Sequence, residues 1–483
     1  MRVFITGATG FIGRALVPRL QREGYSVLAW VRSDASARSL LGADVELISA
    51  TDDVGALATT MERCDAVVNL AGAPLLGGRW TTARRRILED SRIQVTSSLV
   101  QAMALARTRP RVLVSGSAVG YYGDRGDDPL TEVSSAGTDY LAGLCTRWED
   151  AARQAEALGV RVVRLRTSIV LGRAGGALAQ MRLPFALGLG GPVGSGRQYV
   201  PWIHLHDLVD IVATALVDQR YRGPINGVAP AQATSRSFAR AFGRALRRPA
   251  VLPVPAVALN AIFGKASTVL LASQRVVPRA LETLGFQCAF PHLDAALLDI
   301  VTVDAVTIAP VRPRRDDIRA ARYELRTRTA VHAPLEQTFA FFSKAANLGL
   351  ITPASMRFTI QGEVPPITTG TAIRYRLRVG PIPVRWRTRI AAWNPNGSFV
   401  DCQETGPYRL WWHEHRFEAH GAITVMEDRV YYAPRFGFLG RLAHRLFIRT
   451  MLTEIFQYRR DIIHLRFGTA HATRVVVPHE EAS

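Results

Sequence analysis

The sequence predicts an α/β fold, a doubly wound parallel sheet covered by helices, followed by an α+β domain of antiparallel sheet and a long C-terminal helix. Three observations predict it. Short Val/Ile/Leu-rich runs alternate with helix-length amphipathic stretches over the first 300 residues, the pattern of strands buried on both faces. The first run enters a glycine loop, Gly7-Ala-Thr-Gly10-Phe-Ile-Gly13. Beyond a segment rich in proline and arginine, apolar and charged residues alternate with a period of two, which marks antiparallel strands with one wet face.

The strands read in order as Arg2–Thr6, Ser26–Val31, Val45–Ser49, Ala66–Leu70, Arg111–Ser115 and Val160–Leu165, giving six parallel strands. Residues 304–318 contain AVTIAPVRPRRDD, lose periodicity and form the interdomain linker between domain 1–303 and domain 319–468. In the second domain Ile373, Tyr375, Leu377 and Val379 alternate with arginines, as do Val384, Trp386, Thr388 and Ile390. Helices are expected over Leu335–Asn347 and from about Leu439 to Arg466, the latter with Leu442, Leu446, Ile448, Leu452, Ile455, Phe456 and Ile462 as its apolar stripe. The tail, 469–483, has little periodicity and is expected to fray.

With 483 residues, 48% hydrophobic and 21% charged, the chain has the balance of a folded globular protein, which excludes collagen-like and wholly disordered classes. Cys64, Cys145, Cys288 and Cys402 are scattered without metal-ligand spacing, as expected for the reducing cytoplasm. No stretch has the uninterrupted apolar length of a membrane span, so no stable membrane insertion is expected. The net charge of +20 rests on 58 arginines against 2 lysines. That bias reads as genome composition rather than a phosphate-binding surface, and no nucleic-acid partner is expected.

The glycine loop lies between a strand and a helix, so it aims a helix N-terminus at whatever lies above the sheet. That is an anion site. Gly7 permits the turn, Gly10 lets a pyrophosphate approach, and Gly13 lets helix and sheet pack closely, the division of labour of a dinucleotide fold. Where an NAD-preferring site offers an acid after the second strand, this chain has Arg32 and Ser33, which suit a 2′-phosphate. NADP(H) is the expected cofactor, in preference to NAD(H).

The runs TGATGFIG, NLAG (69–72), SGSAVGYYG (115–123), LRTSIVLG (165–172) and WIHLHDLVD (202–210) resemble those of the extended and atypical short-chain dehydrogenase/reductases. Gly77–Trp80, Asp90–Ile93, Leu141–Glu149, Gly172–Gly176 and Gly188–Gln198 narrow the resemblance to the NAD(P)-dependent epimerase-like group, over about 1–303. The resemblance implies a Rossmann-type domain with a C-terminal substrate subdomain. Gly7, Thr9, Gly10, Phe11, Ile12 and Gly13 would cradle the pyrophosphate, and Arg32 with Ser33 the 2′-phosphate. Leu70, Ala71, Gly72, Ser115 and Arg166 would line the cofactor cleft, with Ser117 at the active-site serine. The superfamily's acid is a tyrosine four residues before a lysine, but these positions hold Leu141 and Cys145. Tyr121, Tyr122 and Tyr140 are nearby proton donors, Tyr121 and Tyr140 being the preferred catalytic candidates. His204 and His206 could poise a proton, although Asp207 also reads as the cap of a helix over Leu208–Leu216. Arg92 and Arg166 could each hold an anionic group or simply pair with an acid such as Asp90.

The order strand, helix, antiparallel strands, long helix, with GPYRLWWHEHRFEAHG and TVMEDRVYYAP as the last strands, is similar to the helix-grip fold of the polyketide cyclase and START-like superfamily. The resemblance implies an apolar cavity lined by aromatics such as Trp386, Trp393, Trp412, Phe417 and Tyr432, with a hydrophobic small molecule as partner. His413 and His415 share one strand face, but with no third ligand evident no metal is expected. The function expected is that of an NADP(H)-dependent oxidoreductase or epimerase-like enzyme whose second domain holds or delivers a hydrophobic molecule. The alternative is a non-catalytic NADPH-binding regulator or ligand sensor, for which the missing Tyr/Lys pair speaks.

Overall fold

Seven parallel strands carry the N-terminal unit of the computed structural model: Arg2–Thr6 (β1), Ser26–Val31 (β2), Glu46–Ser49 (β3), Ala66–Asn69 (β4), Val112–Ala118 (β5), Arg161–Thr167 (β6) and Gly223–Gly227 (β7). They lie in the order β7-β6-β5-β4-β1-β2-β3, so the direction of winding reverses between β1 and β4. Open sheets of this kind bind ligands above the carboxyl ends of the strands at that reversal. The register there is direct, with Ile5 opposite Ala29 on one side and Val68 on the other. The structure describes all residues except 43, 51–52, 77, 173–174, 302–305, 332, 365, 421–422 and 468–483. Gly77, Arg173 and Ala174 of the sequence motifs, the first linker residues and the tail therefore lie outside the described residues.

All six expected strands form, with ends shifted by up to three residues. The seventh, Gly-Pro-Ile-Asn-Gly, reads as a turn because its residues are turn formers. It is tolerated as a strand because it is the sheet edge, where a proline costs no ladder bond to a further neighbour. Helices Gly13–Arg22 (α1), Val54–Glu62 (α2), Val95–Leu105 (α3), Tyr140–Arg153 (α4) and Leu205–Val217 (α5) cover the two faces. Leu57 and Met61 of α2 and Leu99 and Met103 of α3 pack on Phe4, Val67 and Leu113 of the sheet in one buried cluster. Beyond the sheet, Trp202, Phe238, Phe242, Leu297 and Ile300 form the core of the subdomain.

Contacts divide the chain into two compact units, one of Met1–Asp34 and Val45–Thr302, the other of Ala35–Asp44 and Val303–Ser483. The second unit is an eight-stranded antiparallel sheet: Val306–Pro310 (β8), Tyr323–Val331 (β9), Thr359–Ile360 (β10), Ala372–Val379 (β11), Ile382–Asn394 (β12), Ser398–Thr405 (β13), Tyr408–His420 (β14) and Ile423–Pro434 (β15), in the order β8-β9-β15-β14-β13-β12-β11-β10. Its core joins Leu325, Trp386, Val430 and Tyr432 of the sheet to Leu452 and Phe456 of the long helix Arg449–Phe467 (α7). A shorter helix, Leu335–Phe342 (α6), ends where the Asn347 side-chain Nδ2 donates to the Phe341 carbonyl, so the helix stops short of the expected Asn347. The arginines of β11 and β12 lie on the outer face, Arg387 and Arg389 both on Glu404 at 2.9 and 3.1 Å. The expected C-terminal stripe is cut by a π-helical turn at His444–Ile448. The turn's extra residue shifts the helical register, so the apolar stripe is not continuous through it. Leu442 and Leu446 are consequently 50% and 70% exposed, whereas Leu452, Phe456 and Ile462 are buried. No helix among the described residues is long and apolar enough to cross a membrane.

Helix α5 begins earlier than the sequence suggests. Its cap is His204, whose Nδ1 accepts from the His206 amide at 3.2 Å, and Asp207 lies inside the first turn. The buried Asp207 carboxylate instead accepts from the Ala289 and Phe290 amides at 2.8 and 3.1 Å, tying a distant loop to the helix. Asp207→Ala strands both donors, so a destabilisation of about 2–4 kcal/mol is expected from the midpoint of denaturant unfolding.

Candidate functional site

Strand β1 hands the chain to α1 through Gly7–Ile12. Gly7 has φ +69°, and a Cβ there would sit 2.6 Å from the Leu70 carbonyl oxygen on the neighbouring strand end. At Gly13 a Cβ would collide with the Gly7 carbonyl and Ala8, so only glycine lets the helix start this close to its strand. The turn closes through the Gly10 amide, which donates to the Gly7 carbonyl at 2.9 Å. No side chain caps α1 and its first turn holds no acid, which leaves its positive end for an anion. The Phe11 ring packs on Gly172 and Gly175.

A buried polar chain fixes the facing strand end. Thr6 Oγ1 donates to Asn69 Oδ1 at 2.6 Å and accepts from the Ala71 amide at 3.2 Å; Asn69 Nδ2 donates to Thr96 Oγ1 at 2.8 Å, as does Trp148 Nε1 at 3.0 Å. Leu70, Ala71 and Gly72 are thereby held across from the glycine turn. Arg32 and Ser33 are exposed just past the end of β2, and Arg32 has no ion pair or hydrogen bond among the described residues. These residues fit a dinucleotide: a glycine cradle that a Cβ would fill, an uncapped helix end, and an uncommitted guanidinium.

An apolar cavity of about 430 Å³ adjoins Ser117, lined also by Arg92, Leu141, Cys145, Trp148 and Tyr199. Ser117 is buried near the end of β5, and its Oγ donates to Glu149 Oε1 of α4 at 2.7 Å. Glu149 is clamped by Arg166 of β6, Nε to Oε1 at 2.8 Å and Nη2 to Oε2 at 3.0 Å, with Arg164 at 3.5 Å. Burial alone would lower the Arg166 pKa, and its bonds to Glu149 outweigh this and hold it above the ordinary value. Arg166 Nη1 donates to the Tyr122 hydroxyl, which donates to Asn226 Oδ1 at 2.7 Å. Burial pushes that phenol up to about 12.

Several expected residues are accordingly committed elsewhere. Arg166 serves Glu149 rather than a cofactor phosphate, because a buried carboxylate requires its charge. Ser115 is buried within β5, its hydroxyl on the Gly116 carbonyl at 3.4 Å. Tyr121 covers the Arg166 guanidinium, 3.6 Å from its ring, and Tyr140 packs on Trp80 at 5.2 Å; neither is among the cavity-lining residues. His204 packs on Phe290 at 4.0 Å and reaches Asp299 at 3.4 Å, while His206 lies beside Asp210 at 3.3 Å, so each histidine faces a local acid; neither lines the cavity. Leu141 and Cys145, at the usual Tyr and Lys positions, do line the cavity; burial pushes the Cys145 thiol up to about 12, which leaves it protonated at neutral pH.

Arg92 has a different fate. It sits in a π-helical turn, Asp90–Gln94, that swings its guanidinium onto the Ala73 and Leu88 carbonyls at 2.9 and 3.2 Å. No carboxylate among the described residues pairs with it; Asp90 faces Arg86 instead. Burial holds its pKa below the ordinary arginine value. The sequence reading missed the Glu149 clamp, whose signal was an acid on an otherwise apolar helix face.

The second unit encloses a smaller cavity of about 160 Å³ between its sheet and α7, lined by Tyr375, Trp386, Tyr408, Trp411 and Phe456 and bounded by Asp401, His413, His415 and Arg459. Here the expectation of no third ligand is corrected. Asp401 pairs with His413 across β13 and β14, and Asp428 with His415 across β14 and β15, which puts all four on one face. Burial opposes ionisation of Asp401 and Asp428, yet the facing imidazoles, with Arg459 at Asp428, hold both carboxyls well below their ordinary range.

Comparison with known proteins places the first unit. The model of the NAD dependent epimerase/dehydratase family matches residues 3–226, and a domain of unknown function (DUF1731) matches 254–300. Epimerase family protein SDR39U1 of Bos taurus is 41% identical over 306 residues, 62% of this chain and all of that protein. Epimerase family protein Mb2239 of Mycobacterium bovis is 44% identical over 286 residues, 59% of this chain and 92% of its own. The crystal structure of human SDR39U1 with NADPH superposes with a TM-score of 0.57 at 39% identity, covering 62% of this chain and 99% of that one. The nucleoside-diphosphate sugar epimerase of Corynebacterium glutamicum gives a TM-score of 0.50 at 32% identity, covering 62% of this chain and 57% of that one. The chain belongs to the NAD dependent epimerase/dehydratase family, within which it is similar to the SDR39U1 proteins.

Removing the Glu149 charge leaves the buried Arg166 without a counter-charge, its remaining bonds going to the Tyr122 hydroxyl and the Glu132 carbonyl. Glu149→Gln is expected to cost about 3 kcal/mol in denaturant unfolding, and pairing it with Arg166→Met should cost less than the sum of the two single changes.

Proposed function

We propose that this chain is an NADP(H)-dependent oxidoreductase or epimerase-like enzyme of the cytoplasm, acting on a small hydrophobic substrate that carries an anionic group. The observation that carries the reading is the uncommitted Arg32 beyond β2, on the same sheet whose β1–α1 turn admits only glycine at Gly7 and Gly13. The family match and the NADPH in the human SDR39U1 crystal structure support it. When bound, the dinucleotide supplies hydride transfer to or from the substrate carbon. Gly7, Thr9, Gly10, Phe11, Ile12 and Gly13 would hold its pyrophosphate, and Arg32 with Ser33 the 2′-phosphate.

The cavity sets the substrate's chemistry. Its walls are mostly apolar, and Arg92 is its unneutralised cation among the described residues, suited to a carboxylate or phosphate. Ser117 gives its proton to Glu149 and so presents lone pairs. A substrate alcohol would donate to Ser117, whereas a carbonyl must compete with Glu149 for the same proton. The chain's own residues thus favour the hydroxyl form of the substrate. The second unit, read as a helix-grip domain of the polyketide cyclase and START-like kind, would hold a hydrophobic small molecule in its own cavity; neither unit is read as binding nucleic acid.

One observation favours a second reading, a non-catalytic NADPH-binding regulator or ligand sensor: Leu141 and the protonated Cys145 replace the usual acid and its lysine. Turnover separates the two. On the enzyme reading, NADPH oxidation or NADP reduction with a panel of apolar carbonyls and alcohols shows activity, and Ser117→Ala lowers kcat by about 10²-fold with NADPH affinity unchanged. Tight binding with no turnover across the panel supports the sensor. Arg32→Asp is expected to weaken NADPH by more than about tenfold, over 1.4 kcal/mol, while changing NADH affinity far less, as read by cofactor fluorescence.

A further inference from the structure

We infer that Asp401, His413 and His415 form a binding site for a divalent first-row transition-metal ion, open toward the aromatic cavity of the second unit. The three side chains come from adjacent strands and face one point. His413 Nδ1 and His415 Nε2 lie 3.3 and 3.1 Å from the same oxygen, Asp401 Oδ2. Ligands on a tetrahedral ion at about 2.0–2.1 Å are themselves separated by about 3.3 Å, so the cluster is already spaced for an ion. One ligand atom from each residue can be chosen so that all lie within 4.8 Å of one another.

Both imidazoles are buried, at 3% and 4% exposed, with ring centroids 3.8 Å apart and planes tilted by 39°. Without an ion, all four ring nitrogens point at carboxylates: His413 Nε2 and His415 Nδ1 lie 3.2 and 2.7 Å from Asp428 Oδ1. Satisfying every such contact by hydrogen bonds would need two doubly protonated rings side by side, and His415 Nδ1 lacks hydrogen-bond geometry in any case. An ion on the Asp401 side replaces two of those protons, and Asp428 becomes the outer carboxylate that orients the His413 ring through Nε2. Arg459 Nη1, 3.6 Å from Asp428, balances that outer charge.

The direction of opening follows from the cavity walls, which include Asp401, His413 and His415 but not Asp428. Two histidines and one carboxylate leave coordination positions free, the pattern of a metal that receives a further ligand. That ligand would be a small aromatic or apolar molecule with an oxygen donor. The cavity has room for about one aromatic ring, and the buried Trp386 Nε1 and Arg459 Nε have no hydrogen-bond partner among the described residues.

The test uses full-length protein stripped with a chelator and titrated with Co(II), then with Zn(II) in competition. The expected result is one Co(II) per chain with the strong visible absorption of a low-coordinate site and no thiolate charge-transfer band. Asp401→Asn and His415→Gln should abolish the signal, and Asp428→Asn should weaken binding by about 10–100-fold. Glu414→Gln, on the opposite strand face, should leave it unchanged. Circular dichroism establishes that each variant is folded. Should Asp401→Asn fail to fold, the wild-type spectrum decides: a weak spectrum like that of hydrated Co(II) overturns the site. Substoichiometric binding by the wild type, or undiminished binding by folded Asp401→Asn and His415→Gln, also overturns it.

Discussion

A single buried carboxylate organises the first unit's cavity. Glu149 projects from α4 into the sheet, where removing it from water is affordable only because Arg166 meets both its oxygens and Arg164 stands behind. Everything around it follows from that requirement. The Ser117 hydroxyl is oriented by Glu149, the Tyr122 phenol by Arg166, and Asn226 by Tyr122, so one ion pair passes rigidity from α4 through β5 and β6 to the edge strand β7. The cation that such a pair consumes is not available to a ligand, whereas Arg92, in its π-helical turn, faces carbonyls and pairs with no described carboxylate.

The legible parts of the sequence were those where one physical cause acts alone. Strands buried on both faces write themselves as short β-branched runs, and β1, β2, β4, β5 and β6 stand close to where those runs lie. The glycine turn is legible for the same reason, since Gly7 and Gly13 answer to local geometry. Where two causes compete, the reading fails. Edge strand β7 has the composition of a turn, and tertiary pairing with β6 overrides it. Asp207 has the chemistry of a helix cap, yet a loop more than 80 residues away takes its oxygens. Arg92 and Arg166 look alike in sequence; only the fold decides that one meets Glu149 and the other meets carbonyls. The absent Tyr/Lys pair, by contrast, is read directly, because Leu141 and Cys145 occupy those positions and line the cavity.

The two units solve the same problem with opposite charges. Each encloses an apolar cavity with one polar wall. In the first unit the wall is a serine backed by a carboxylate and faced by a guanidinium. In the second it is two imidazoles between two carboxylates, a geometry that the β13-β14-β15 register dictates by placing Asp401 opposite His413 and Asp428 opposite His415. The sequence exposed the two histidines through their spacing, but their partners lie 12 and 13 residues away on other strands, where only register reveals them.

NADP(H) is assigned to the β1–α1 turn of the sheet whose strand β5 carries Ser117 into the cavity lined by Trp148. Energy transfer from tryptophan to bound NADPH tests it most directly in full-length protein. Nicotinamide emission on excitation of tryptophan is expected to saturate, to be stronger for NADPH than for NADH at equal concentration, and to fall in Trp148→Phe. Absence of saturable transfer with NADPH, or transfer equal for the two cofactors and untouched by Trp148→Phe, would contradict it.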